Sequence, residues 1–173
     1  MNNKKLHLLK AIILLPFMVI CVIPALILLF TIFRIVDVST LFFLSLTLLF
    51  IGIFFAIWTV YMFWAKGDGT PGPWAPPRKL VIEGPYKYTR NPMITSVLFM
   101  LLAESIFFLS FGIFIWFIMF LLVNIIYLRL FEEKKLKVRF GEDYINYNKS
   151  VPMWIPRLKP YKKDEITTFT TFK

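Results

Sequence analysis

The sequence holds one cysteine, one histidine and ten acidic residues among 173, and each scarcity removes a class of chemistry. The lone thiol, Cys21, excludes an intramolecular disulfide and any cysteine-built metal site. The lone histidine, His7, stands near the N-terminus, far from other ligand types, which sets aside a histidine metal centre and a Ser/His/Asp arrangement. Polar chain is scarce as well, since only 17% of residues are charged. What remains is apolar: 58% hydrophobic, with a mean hydropathy of +0.71, beyond the range of an ordinary soluble domain.

A chain of this composition belongs in a bilayer, where a crossing helix needs about 20 apolar residues. Apolar runs over 8–32, 41–64 and 93–130 predict an all-α, polytopic bundle. The last run has about twice the length of one span, and a break at Ser110-Phe111-Gly112 would fold it into a helical hairpin, making four crossings. The twenty Lys and Arg cluster before the first span, between the second and third, and after the fourth, leaving Arg34 alone on the opposite side. The positive-inside rule then puts both termini and the central loop in the cytoplasm, facing anionic lipid heads rather than nucleic acid. The basic, apolar N-terminus has a run too long for a signal core and is read as a retained helix kinked by Pro16 and Pro24.

In the second span Ser45, Thr47, Gly52 and Thr59 allow close packing, and Trp58, Tyr61 and Trp64 suit a membrane interface. Gly67 to Pro77 is too rich in Gly and Pro for regular structure and reads as a cytoplasmic loop, followed by a short extended Leu80-Val81-Ile82. Gly84-Pro85 then punctuates a polar passage ending at Arg90-Asn91-Pro92. Asn91 is a good N-cap and Pro92 a good first helical residue, so a helix N-terminus with Arg90 beside it offers an anion site. Glu104 is an intramembrane acid, a functional candidate by default or else a protonated interhelical donor, and Asn124 reads as interhelical glue. Beyond the fourth span, Arg129 at helical spacing from Glu132 and Glu133, and Glu133 from Lys137, make Glu133 an ordinary surface residue and leave Glu132 with less to do. Phe140-Gly141 reads as a helix stop, 143–147 as a short amphipathic helix, 151–156 as a proline-broken tail and 161–173 as disordered.

The order Arg78-Lys79-Leu80-Val81, Gly84-Pro85-Tyr86, Arg90-Asn91-Pro92-Met93, Glu132-Glu133, Phe140-Gly141, Tyr144, Tyr147 and Val151-Pro152 resembles the isoprenylcysteine carboxyl methyltransferase-like family. It is more distantly similar to the phosphatidylethanolamine N-methyltransferases. The resemblance runs from about Pro76 to Pro156 and implies an S-adenosylmethionine-dependent membrane methyltransferase. Its cofactor contacts would fall on Arg78, Lys79, Leu80, Val81, Tyr86, Asn91, Pro92, Met93, Ile94 and Glu132, with Arg129 near the place of a substrate-contacting arginine. Where the family has Arg-His-Pro and then a tyrosine, this chain has Arg90-Asn91-Pro92 and then Ile94. Asparagine can donate and accept like a neutral histidine but cannot carry a proton.

Methyl transfer from a sulfonium needs alignment rather than a metal, which suits a chain so poor in histidine and cysteine. Glu132 would take the cofactor's amine, the helix end at Asn91 with Arg90 its carboxylate, and Tyr86 or Tyr88 its sulfonium and adenine. Arg129 and Glu104 are the candidates for work on the acceptor, which the apolar spans suggest is a membrane lipid or prenylated molecule, carboxylate or amine, entering from the bilayer. The expected organisation is two N-terminal membrane helices over 1–66, a methyltransferase core over 67–160 and the tail. Two other readings stay open at this stage: a sterol-reductase-type enzyme using a nicotinamide cofactor, and an inactive scaffold or partner subunit.

Overall fold

Proline without an amide hydrogen leaves a helix with unpaired carbonyls, and the first helix is built around that defect. The computed structural model describes residues 16–66 and 80–161, apart from the side chains of Phe63, Trp64 and Lys66. His7, the start of the first predicted span, the loop 67–77, Arg78, Lys79 and residues 162–173 lie outside it. Helix α1 (Met18–Phe30) opens with a π turn over Met18–Val22, where the Ile23 amide donates to the Met18 carbonyl. The next donor in that pattern would be residue 24, which is Pro24, so the Val19 carbonyl has no partner in its own helix. The Trp116 indole Nε1 donates to it across the bundle at 3.1 Å. Membrane helices tolerate proline on this condition, that a neighbouring helix satisfies the freed carbonyl.

Helix α2 (Thr40–Lys66) packs along α3 (Pro92–Phe107), and the seam is lined by small residues. Ser45, Gly52 and Thr59 recur every seventh position and are buried, as are Ser96 and Ala103 opposite. A Cβ on Gly52 would stand 2.9 Å from the Ser96 carbonyl, so the helices approach to a distance that only glycine permits. Thr47, expected in the same set, is exposed and donates to the Phe43 carbonyl of its own helix.

The chain turns at residues 108–110 into α4 (Phe111–Tyr127), with Ser110 as N-cap, its hydroxyl accepting from the Ile113 amide at 3.4 Å. The hairpin was legible, but Gly112 is not part of the break. It lies inside α4, where a Cβ would meet Ile27 at 2.6 Å, and is the contact point between α1 and α4. Leu109 carries the turn with φ of +43°. The α1–α2 connector closes over this end, the Val36 amide donating to Phe107 O at 2.8 Å and the Arg34 amide to Phe108 O at 3.1 Å. Asn124 does not bridge helices: its Nδ2 donates to Phe120 O one turn back in α4.

Two helical runs, Thr40–Met62 and Phe111–Ser150, are long and apolar enough to span a membrane, while Met18–Phe30 and Pro92–Phe107 are shorter apolar helices. Large apolar side chains such as Phe50, Ile57, Leu122 and Ile126 cover the outer faces, as expected of an all-α membrane bundle with lipid as solvent. The second run continues past its apolar part through a π turn (Leu128–Glu132) into α5 (Glu133–Ser150). Gly141, with φ 56° and ψ −134°, breaks α5 at the expected stop. Tyr144 and Tyr147 then turn inward to a cluster with Val151 and Tyr161, against Leu80, Ile82, Leu136 and Phe140. Tyr161, expected in the disordered tail, is 4% exposed and its amide donates to Lys87 O at 3.0 Å.

Candidate functional site

At the end of the bundle where α3 begins, four stretches of chain meet: the turn Gly84–Lys87, the N-terminus of α3, the π turn leading to α5, and residues 151–161. Gly84 has φ of +54°, and a Cβ there would lie 3.2 Å from the Trp58 indole nitrogen, so the turn sits directly on the end of α2. That placement buries Tyr86, whose carbonyl accepts from the Tyr147 hydroxyl at 2.6 Å. The C-terminal segment is laced to the same stretch. Arg90 N donates to Pro152 O at 3.0 Å, Arg157 N to Tyr88 O at 3.0 Å, and the Thr89 hydroxyl to Met153 O at 3.0 Å.

Asn91 occupies the N-cap position, and its carbonyl accepts from both the amide and hydroxyl of Thr95. Its side chain, however, caps nothing. Nδ2 donates instead to Met153 O at 3.4 Å, drawn away by the C-terminal segment that the local sequence could not anticipate. Among the described residues the first amides of α3 therefore have no side-chain acceptor, and helix geometry gives them none of their own. Pro92 is fully buried, Met93 and Ile94 half-buried.

Arg90 differs from expectation more sharply. Its Nη1 donates to Glu133 Oε1 at 2.7 Å and to Asn148 Oδ1, and its positive charge opposes the burial that raises the Tyr144 phenol. The ion pair is enclosed, with side chains 12% and 17% exposed. Glu133 is thus not a surface residue paired along its own helix, and Arg90 is already engaged by protein rather than waiting for an anion. In a straight helix Glu133 and Asn148 would stand about 22 Å apart, too far for one nitrogen to touch both. The break at Gly141 folds α5 back on itself, and Arg90 joins its two halves.

Glu132, next to Glu133 on the π turn, accepts no hydrogen bond and forms no ion pair among the described residues. Burial pushes its carboxyl up from the ordinary carboxylate range, while the Lys135 ammonium pulls in the opposite direction. The negative charge of Glu132 adds a small part to the raising of the Tyr86 and Tyr144 phenols. Tyr86 is itself held well above the usual phenol range, first by burial and then by Tyr147 and Glu132. A half-buried, unpaired carboxylate beside neutral phenols is a site for a cation.

The remaining expected residues scatter. Tyr88 is half-buried and its ring stacks on no described aromatic, whereas Leu80 packs into the tyrosine cluster and Val81 is buried. Arg129 is exposed on the π turn, three positions before Glu132. Glu104 is elsewhere. It lies in the last turn of α3, about 18 Å of helical rise from Pro92, with Oε2 buried and unbonded by any described residue, so it and Arg129 do not share a site. Asn148 escaped sequence reading altogether, since nothing local marks a residue whose partner is 58 positions away.

A cleft of about 400 Å³ opens between α1, α2 and α3, lined by residues including Ile20, Ile57, Val60, Tyr61, Met93 and Met100. Ser96, the hydroxyl on its wall, is turned to the Met93 carbonyl at 2.5 Å, so the cleft is apolar. Met93 belongs both to this cleft and to the start of α3.

Glu132, without a partner among the described residues, the start of α3 and the apolar cleft thus lie toward one end of the bundle. No curated protein and no solved structure matches the chain. Residues 25–143, over half of the sequence, match the family model described as phospholipid methyltransferase. The match runs from the second half of α1 through α4, with Arg90 at the start of α3 and the Glu132-Glu133 turn, and on that ground the chain belongs to the phospholipid methyltransferase family, membrane enzymes that methylate lipid-like substrates.

Proposed function

We propose that the chain transfers a methyl group from S-adenosylmethionine to a lipid or prenylated acceptor at the cytoplasmic face of the membrane. The observation that carries this reading is the Arg90–Glu133 pair at 2.7 Å, which sets the uncapped start of α3 beside the unpaired carboxylate of Glu132. Those two features match the opposite ends of an amino acid: Glu132 would hold the cofactor's ammonium, and the amides of Met93 and Ile94, aided by the helix dipole, its carboxylate. When bound, S-adenosylmethionine supplies an electrophilic methyl group. The chain's own contribution is to hold the reactants in line and to exclude water, with residues 151–161 covering the site.

The acceptor's hydrocarbon part fits the apolar cleft, because Met93 lines it at the end where α3 starts. Arg129, exposed on the π turn, is the residue available for an anionic headgroup or a carboxylate acceptor. A carboxylate acceptor requires no general base; an amine would have to lose its proton to water or to a group other than Glu104, which lies at the far end of α3. Exposed Lys134, Lys135, Lys137 and Arg139 on α5 suit a leaflet rich in anionic lipid. The family match speaks against the reductase reading. The test is transfer of labelled methyl from S-adenosylmethionine to host membranes by the purified protein, with identification of the product. Absence of saturable cofactor binding to the solubilised protein would refute the proposal.

A further inference from the structure

The clasp formed by Arg90, Glu133 and Asn148 is more elaborate than a link between helices requires. One Nη1 atom serves acceptors on both halves of the broken α5, and the Arg90 amide holds Pro152 at 3.0 Å. The start of α3, both halves of α5 and the segment 151–161 are therefore fastened through one residue. Glu132 is adjacent to Glu133 in a π turn, an element with one residue more per turn than the helices on either side. The direction in which Glu132 points depends on how that turn is rotated, and no contact of its own side chain among the described residues holds it. Rotation is set next door, where Glu133 is held by Arg90.

We propose that Glu133 is a positioning residue, and that with Arg90 and Asn148 it fixes the carboxylate of Glu132 toward the site and keeps residues 151–161 closed over it. The first half of this statement rests on the reading of Glu132 as the cofactor's ammonium partner; the second half does not. A Gln at 133 keeps the shape but removes the charge that binds the guanidinium. The π turn is then free to rotate, although Glu132 itself is intact.

The experiment uses the full chain in detergent with S-adenosylmethionine as the probe, comparing Glu133→Gln, Arg90→Gln, the double variant, Asn148→Ala and the exposed control Glu142→Gln. Cofactor affinity is expected to fall at least tenfold in each of the first two, and no further in the double variant, because both break one clasp. Asn148→Ala leaves the ion pair in place and should lose three- to tenfold, with kcat at saturating cofactor retained. Arg90→Lys should recover part of the loss. Glu142→Gln should match the parent. Amide exchange at Arg157 and Tyr161, measured without cofactor, should quicken in Glu133→Gln and Arg90→Gln while the transmembrane amides stay protected. Parent-like affinity in Glu133→Gln, or additive losses in the double variant, would overturn the positioning role, and unchanged exchange would overturn the closure. If the two charge variants do not fold, Asn148→Ala decides alone: parent-like KM and exchange would sink the proposal. Should the parent itself bind no cofactor, the reading of Glu132 fails, and quickened exchange in the variants would still establish the clasp.

Discussion

Replacing Trp116 by Phe tests how this bundle accommodates proline in a membrane helix. The Val19 carbonyl lies where the π turn leaves it without a helical donor, since the position that would supply one is Pro24, and the Trp116 indole fills the gap at 3.1 Å. Phenylalanine keeps an aromatic ring in the half-buried slot but removes the donor. An unsatisfied buried carbonyl costs about 1–3 kcal/mol, whereas interhelical hydrogen bonds in membranes average about 0.6 kcal/mol, so a loss near 1 kcal/mol is expected from the bond. Lost ring atoms add roughly another 1 kcal/mol, which the single substitution does not separate. A double-mutant cycle does. In Pro24→Ala the helix regains an amide, the π turn can relax to α geometry, and Ile23 N can then donate to Val19 O. Trp116→Phe should therefore cost about 1 kcal/mol less in the Pro24→Ala background, read as reversible unfolding in mixed micelles by far-ultraviolet circular dichroism. Equal costs in both backgrounds would show that the indole bond answers no defect.

Other outcomes follow from the seam, the turn and the site. Gly52→Leu forces a side chain against the Ser96 carbonyl and Met100, and should destabilise the α2–α3 pair by about 1–3 kcal/mol in the same unfolding assay. Leu109→Gly removes a left-handed strain of about 1–2 kcal/mol at the price of glycine's extra chain entropy, for a net gain of about 0.5–1 kcal/mol in thermal unfolding. The raised carboxyl of Glu132 gives two pH dependences of opposite sign. Because the folded state holds this proton more tightly than the unfolded chain, its contribution to stability falls as pH rises from the usual carboxylate range through the raised value. Cofactor binding, which needs the ionised form, should tighten over the same interval. Glu132→Gln should flatten both curves, and an unaltered pH profile of cofactor affinity in that variant would remove Glu132 from the site.

Composition and charge alone determined that this chain is an all-helical membrane protein. A bilayer demands internally satisfied backbone and long apolar runs, and both demands are written locally. The same holds for the helix starting at Pro92, the hairpin near Ser110 and the stop at Gly141, each marked by one or two residues with a strong conformational preference. Tertiary structure alone decided the partners. Asn91 has the sequence of a cap, yet its side chain turns to Met153; Glu133 has helix-surface neighbours at the right spacing, yet pairs with Arg90, 43 residues away. Spacing along a helix predicts only what can meet on its own surface, and a buried charge chooses among all acceptors within reach. Such choices are made where chain segments converge, and convergence is a property of the fold.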